Sequence, residues 1–325
     1  MQNDKCEKRH EGAGAILLGV IRRTGSPGAA FWAVMIFGVL AFAAAVAQRA
    51  DAGSRPAPSR VVSINLCADQ YLAVLAGRDQ IAALSPSAHN KSLSFFADRL
   101  KGIPAIRDDA ESVLTLRPDL VIASAFSSPQ TMQLLRAQGL TVFVLPAVRS
   151  LADIREQIGR LAAVLGRESK GMALIDNLDR VLEHTKDTAG KTGRTTALYY
   201  QRGGYASGPG SYIGMILSHL GLQNLIRSEA QSIAVLPLES VIVNPPDLLI
   251  VSDQVLRSDN QGAVLLNHPA LLKLVARTPR IVVPMRETIC PGPSVQYSLS
   301  TLSKHVKSAM EPSLVYIKRS DRTAK

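Results

Sequence analysis

A fourteen-residue segment occurs twice in the chain. Residues 111–124 read ESVLTLRPDLVIAS and residues 239–252 read ESVIVNPPDLLIVS, with eight identical positions at a constant offset of 128. In each copy a short helical segment ends at a Pro-Asp turn. An apolar run follows, which is typical of a strand buried on both faces. Chance similarity among short α/β units rarely gives eight ungapped identities. The sequence therefore predicts two lobes of related topology.

Strand-like and helix-like patterns alternate around both copies. Residues 60–64 form a β-branched run, and residues 69–75 form a helical stretch that ends at Gly77 and is matched in pattern by residues 211–221. Such alternation predicts parallel βαβ construction, with ligands bound at the carboxyl ends of the strands. A length of 325 residues suits two domains. We expect an α/β fold with two Rossmann-like lobes and a ligand cleft between them.

A long amphipathic stretch separates the two copies. Apolar residues recur at helical spacing over residues 151–187, with Gly166 as a candidate bend. An ordinary core helix is one interpretation. Its central position favours a connecting helix between an N-terminal lobe at 60–150 and a C-terminal lobe at 188–325. A helical connector predicts modest hinge motion.

The N-terminal segment resembles an export signal. Arg22 and Arg23 precede an uncharged run over residues 29–47 that closes on Ala-Val-Ala. This pattern predicts a signal peptide at 1–47, a flexible leader at 48–59 and a periplasmic protein. The alternative is a retained membrane anchor, since the run is nearly long enough to span a bilayer.

The composition excludes several classes of function. The net charge is +11, but the basic residues are scattered and form no Lys/Arg run, so nucleic acid is not an expected partner. Residues 208–214 imitate a dinucleotide loop with the wrong glycine spacing, and neither a Walker loop nor a GxSxG elbow occurs. No histidine or cysteine pair has metal-ligand spacing. We therefore expect no enzyme, no resident metal and no cofactor, with any metal carried by the ligand itself.

Candidate binding residues follow the predicted strands, where a cleft would form. They are Asn65, Cys67, Asp69, His89, Phe126, Arg149, Tyr200, Arg202, Tyr205, Arg286 and Cys290. Arginines and tyrosines facing one cleft suit an anionic or chelated ligand, because guanidinium pairs well with carboxylates. The competing interpretations are that Asp69 caps a helix, that His89 is an ordinary loop residue and that the arginines are solvated.

Cys67 and Cys290 admit three interpretations. They are unrelated packed thiols, a disulfide between the lobes, or soft contacts for a metal-bearing ligand. A permanent bond across the cleft would oppose ligand entry, so the disulfide ranks below the other two. The functional expectation is that at least one of the two cysteines lines the site.

The sequence also resembles a known family, the periplasmic substrate-binding proteins of ABC importers for ferric siderophores, haem and cobalamin. The segments that carry the resemblance are RVVSINLCADQYLAVLAG (60–77), the two duplicated segments, LYYQRGGYASGPGSYIGMILSHLGLQNL (198–225) and HPALLKLVARTPRIVVPMRETICPGP (268–293). The resemblance implies two α/β lobes joined by one rigid helix, with the ligand between them. It also implies a permease and its ATPase as partners of a protein that captures an iron chelate or corrinoid-like ligand.

Two features depart from what this resemblance implies. The cobalamin-binding members use cleft tryptophans, whereas the only tryptophan here is Trp32, in the predicted signal. The family docks on its permease through an acidic residue from each lobe. Asp98 is the N-lobe counterpart, but the C-lobe position falls near the uncharged Gln223, with Glu229 as a substitute. A two-lobed exported transferase and a ligand sensor uncoupled from transport are the alternative functions.

Overall fold

The computed structural model describes residues 56–192, 195–228, 231–253, 268–269, 273 and 278–310. The predicted signal peptide and most of the predicted leader lie outside these residues. Residues 58 and 59 of that leader are held on the folded part, since the carbonyl of Pro58 accepts from Gln80 and the amide of Ser59 donates to Asp119. No helix within the described ranges combines the length and apolarity needed to cross a membrane.

Strands and helices alternate through both lobes. The strands are β1 (Val61–Ser63), β2 (Ile81–Ala83), β3 (Leu120–Ser124), β4 (Val142–Leu145), β5 (Thr196–Tyr199), β6 (Tyr205–Ser207), β7 (Gln223–Asn224), β8 (Ile233–Val235), β9 (Leu248–Ser252) and β10 (Arg280–Val283). The helices are α1 (Leu66–Leu75), α2 (Ala97–Leu100), α3 (Ala110–Thr115), α4 (Pro129–Ala137), α5 (Leu151–Val164), α6 (Glu168–Thr192), α7 (Tyr212–His219), α8 (Leu238–Val243), α9 (Met285–Thr288) and α10 (Val295–Met310).

The two lobes repeat one sheet topology. The N-terminal sheet has the order β2-β1-β3-β4 and the C-terminal sheet has the order β7-β5-β9-β10, with every pairing parallel. When only the four strands of each sheet are counted in chain order, the second strand lies outermost in both sheets, followed by the first, third and fourth. A separate antiparallel ribbon, β6 with β8, extends the C-terminal lobe. The prediction of two lobes of related topology is confirmed.

The duplicated segments occupy equivalent places in these sheets. One copy forms α3 and β3 and the other forms α8 and β9, and all five residues of both strands are buried. A strand covered on both faces needs an unbroken apolar run, which both copies supply.

The connector between the lobes differs from the predicted single helix. Helix α5 begins at a capping box of Ser150 with Asp153, and the chain reverses at Gly166, where φ is +64°. Helix α6 then runs back along α5, as the 2.9 Å ion pair of Arg155 with Asp179 shows. The long central helix is therefore α6 alone. Because glycine adopts this left-handed backbone without a steric penalty, the chain can reverse its direction at Gly166 instead of only bending there.

One apolar core runs through both lobes. It includes Val61 and Ile122 from the first sheet, Leu178 from α6, and Ile250 and Leu302 from the second lobe, all nearly or fully inaccessible. Because packed interiors resist deformation, the apolar face that α6 packs into this core restrains the lobes relative to each other.

Gly171 provides a test of the helix pair. A Cβ at Gly171 would overlap the Cβ of Ala162, whereas a Cβ at Gly159 would lie 3.9 Å from Ile175 Cδ1. Overpacking costs about 1–3 kcal/mol, and replacing a helical glycine by alanine gains about 1 kcal/mol. We expect Gly171→Ala to lower the free energy of unfolding in urea titrations. Gly159→Ala is the matched control and should be neutral or stabilising. Equal stability of the two variants would contradict the close packing.

Candidate functional site

The two lobes meet in two different ways. On one side, loops that follow β1 and β2 contact loops that follow β10, and we call this side the closed flank. On the other side, the loop after β4 shares a cavity with β7 and α7, and we call this side the open flank. The strand orders place these flanks at opposite edges of the interface between the lobes.

A disulfide joins the lobes at the closed flank. The side chain of Asn65 caps α1 by accepting from the amide of Cys67 at 2.9 Å, which sets Cys67 in the first turn directly after β1. Cys290 follows α9 and is 2% exposed. The two residues form a disulfide with a Cα–Cα distance of 5.2 Å. Asn65 thus serves as a helix cap here.

The expected ranking of the cysteine interpretations is wrong. Cys67 and Cys290 are bonded to each other, so neither offers a thiol to a ligand. The reasoning assumed that a bond between the lobes would cross the ligand path. The structure instead places the bond where the loops already pack together, at one edge of the interface.

Aromatic packing fills the rest of the closed flank. Phe95, after β2, stacks on Tyr297 of α10 with ring centroids 4.7 Å apart, and the Arg286 guanidinium lies 6.0 Å from the Phe95 centroid. At Gly292 an added Cβ would come within 2.9 Å of the Tyr71 ring. These contacts leave no room for a ligand between Tyr71 and Gly292.

A cavity of about 660 Å³ lies at the open flank. The first lobe contributes Arg149, Ser150 and Leu151, and the second contributes residues of α7 and of the chain around β7, including Asn224 and Arg227. Small-molecule sites typically measure about 300–1,000 Å³. The cavity therefore has the size of a ligand site and takes its walls from both lobes.

Two arginines supply the positive charge of this cavity. Arg149 and Arg227 are exposed, and within the described ranges neither forms a salt bridge with a carboxylate. Burial lowers the pKa of His219, which leaves the imidazole neutral at pH 7. The open flank thus presents a guanidinium from each lobe, and guanidinium pairs strongly with carboxylate or phosphate groups.

Three predicted residues follow the strands that neighbour β4 and β7. Phe126 follows β3 and is 80% exposed, although large apolar side chains are usually buried. Arg202 and Tyr205 follow β5, the neighbour of β7, and Tyr205 is 50% exposed. The structure thus brings Arg149 to the cavity and sets Phe126, Arg202 and Tyr205 on the adjoining strand ends.

Two predicted residues lie in the interior instead. Tyr200 is fully buried in the second lobe and its hydroxyl donates to the carbonyl of Leu236 at 3.0 Å. Asp69 is fully buried in α1 and accepts from the amide of Ser85 at 3.2 Å and from the Ser85 hydroxyl. Both were predicted ligand contacts, and in this structure neither side chain is accessible from the surface. The strand-end rule located the loops correctly but did not give the direction of these side chains.

His89 and the predicted docking residue Asp98 lie apart from the open flank, whereas the predicted docking position Gln223 lies at it. The Nε2 of His89 lies 2.9 Å from the Ile103 carbonyl, beside a separate surface groove on the first lobe. Asp98 borders the same groove and pairs with Lys91 at 2.6 Å, and the hydrogen bond to Lys91 holds the pKa of Asp98 below its usual range. Gln223 lines the open-flank cavity, and Glu229 lies outside the described residues.

Sequence reasoning missed Arg227, Phe95 and Tyr297. Arg227 follows β7, whose two residues, Gln223 and Asn224, carry no apolar pattern that would mark a strand end. Phe95 and Tyr297 are scattered aromatics whose stacking depends on the relative placement of the lobes.

Asp69 provides a test of burial through pH. Burial raises the pKa of Asp69 to about 6, above the ordinary 3.8, so the folded state holds this proton more tightly than the unfolded chain does. The stability that this buried proton adds to the folded state is fully present below pH 4. About 3 kcal/mol of the free energy of unfolding is lost as the pH rises toward 6. We expect Asp69→Asn to be less sensitive than the wild type over this interval in denaturant titrations. A constant difference between the two proteins from pH 4 to 7 would contradict the buried proton.

Comparison with known proteins places this architecture in a family. Residues 61–281 match the model of the family described as periplasmic binding protein. A cobalamin-binding protein of Halobacterium salinarum is 25% identical over 228 residues, which are 66% of this chain. The match spans 60% of that relative's own length.

Solved structures show the same fold. A periplasmic haem-binding protein from Roseiflexus in its apo form superposes with a TM-score of 0.66 at 24% identity, covering 78% of this chain and 99% of that one. The periplasmic vitamin B12-binding protein of Vibrio cholerae gives a TM-score of 0.62 at 16% identity, covering 78% and 98%. The predicted two-lobed architecture with a central helix is confirmed by this likeness. The matched family consists of binding proteins, and the prediction that the chain is no enzyme is confirmed with it.

Proposed function

The chain belongs to the periplasmic binding protein family, and we propose that it captures a chelated, anionic small molecule outside the cytoplasmic membrane and delivers it to an ABC permease powered by its ATPase. The observation that carries this proposal is the open-flank cavity of about 660 Å³, to which each lobe contributes one arginine. A ligand with two separated anionic groups would bridge Arg149 and Arg227, and with them the two lobes.

Exposed aromatic side chains narrow the ligand class. Phe126 follows β3 and Tyr205 follows β5, the strands that neighbour β4 and β7, and both expose their rings. Exposed aromatic rings offer a flat apolar surface, while guanidinium groups select carboxylates. A planar macrocycle with carboxylate arms, such as haem, fits both features, as does a carboxylate-bearing ferric chelate. Corrinoids carry mainly amide arms, which would leave the two guanidinium charges unmatched.

The names of the relatives support a large, metal-bearing ligand. One relative is named for cobalamin binding, and two of the similar structures are described as haem-binding and vitamin B12-binding. These ligands are large, metal-bearing macrocycles. Transport, export to the periplasm and docking through Asp98 remain part of the proposal.

The two arginines provide the test. We expect the purified protein to bind haemin or a ferric carboxylate chelate more tightly than cyanocobalamin in absorbance or calorimetric titrations. Arg149→Gln and Arg227→Gln should each weaken binding about ten- to hundred-fold, because each removes one charge-assisted hydrogen bond of about 1.5–3 kcal/mol.

Arg136→Gln is the matched control. Arg136 is an exposed arginine of α4 that borders neither the cavity nor the closed flank, so its variant should bind as the wild type does. Tighter binding of cyanocobalamin than of haemin would replace the carboxylate ligand by a corrinoid. Failure to bind any of the three probes would overturn the proposed function.

A further inference from the structure

The disulfide limits how far the lobes can separate. A clamshell opening at the closed flank would have to move the Cα atoms of Cys67 and Cys290 apart. A disulfide allows Cα–Cα distances of only about 4.4–6.8 Å, and the observed distance is 5.2 Å. Opening at this edge is therefore restricted to about 2 Å. Phe95 and Tyr297 pack beside the bond and occupy the same edge.

Helix α6 supplies a second link between the lobes. It hydrogen-bonds through Asn177 to Gln296 of α10, six residues beyond Cys290. Thr185 of α6 also contacts His219 at 3.0 Å, next to the open-flank cavity. The lobes are thus linked by the disulfide at the closed flank and by the packing of α6, which reaches His219 beside the cavity, and no covalent bond within the described ranges crosses the open flank itself.

We propose that the Cys67–Cys290 disulfide is a positioning element of the ligand site, which holds Arg149 and Arg227 at the separation that one ligand bridges. The inference rests on the proposed function. Binding costs less free energy when the two halves of a site are already in place, because no lobe motion has to be frozen. Breaking the bond should let the lobes sample wider separations. The bound ligand should then dissociate faster.

A purely structural disulfide would behave differently. It would raise thermal stability by constraining the unfolded chain, and its removal would leave the lobe separation and the ligand dissociation rate unchanged. Two measurements on the folded protein therefore distinguish the proposed role from mere stabilisation.

The first measurement needs no ligand. Gln133 of α4 and Val243 of α8 are exposed residues of different lobes, and each is replaced by p-acetylphenylalanine to carry a nitroxide without added cysteines. Pulsed electron resonance then gives the distribution of distances between the lobes. We expect a narrow distribution with the disulfide intact and a clearly broader one in Cys67→Ser/Cys290→Ser. Equal widths would overturn the proposal, whatever the ligand is.

The second measurement uses haemin as the probe. We expect Cys67→Ser, Cys290→Ser and the double variant to release haemin about tenfold faster than the wild type, because affinity changes within one site act mainly on dissociation. Val113→Ala is the control, since it lowers stability by leaving a cavity in a core cluster of the first lobe that contains no residue of α5, α6 or α10. Release at the wild-type rate from the double variant would overturn the positioning role. A wild-type protein that binds no haemin, ferric chelate or cyanocobalamin would instead refute the proposed function, and the distance measurement would still decide the inference.

Discussion

The burial of α6 between the lobes is the constraint on which the arrangement of the strand ends depends. Leu178 of this helix belongs to an apolar core that also contains residues of both sheets. Close-packed interiors do not shear freely, so the sheets keep their relative orientation. The described segments that follow β1, β4 and β10 consequently reach the interface between the lobes. A flexible linker in the place of α6 would leave the strand-end loops without a fixed partner.

Much of this fold could be predicted from the sequence because its strongest signals are local. The repeated strand Leu248–Ser252 is an unbroken apolar run, and its burial on both faces follows from that pattern alone. Periodicity did not distinguish one helix from an antiparallel pair, because α5 and α6 have the same helical spacing of apolar residues. The reversal at Gly166 depends on a single backbone conformation. Helical spacing therefore identified the helices but not their number.

The site was less predictable, because it depends on which loops meet and on which way side chains point. The strand-end rule found Arg149 and Phe126, but it also selected Tyr200, whose side chain turns into the core. Pairing Cys67 with Cys290 requires the placement of one lobe on the other, over a sequence separation of 223 residues. Sequence periodicity contains no such information. The strand order within each sheet, which only the structure shows, determines at which flank each candidate binding residue lies.

The repeated topology explains why there are two flanks at all. Two sheets of equal strand order present two related edges, one with β2 and β10 outermost and one with β4 and β7 outermost. The residues at the two edges differ. At β1 and β10, Cys67 and Cys290 form a disulfide, and aromatic rings fill the space beside the bond. At β4 and β7 lies a cavity lined by Arg149 and Arg227, which form no salt bridge with any carboxylate in the part of the chain that the structure describes. The edge closed by the disulfide and the aromatic rings offers no space to a ligand. The remaining edge has a fixed geometry, and a site formed by two lobes can recognise a ligand without a large hinge motion.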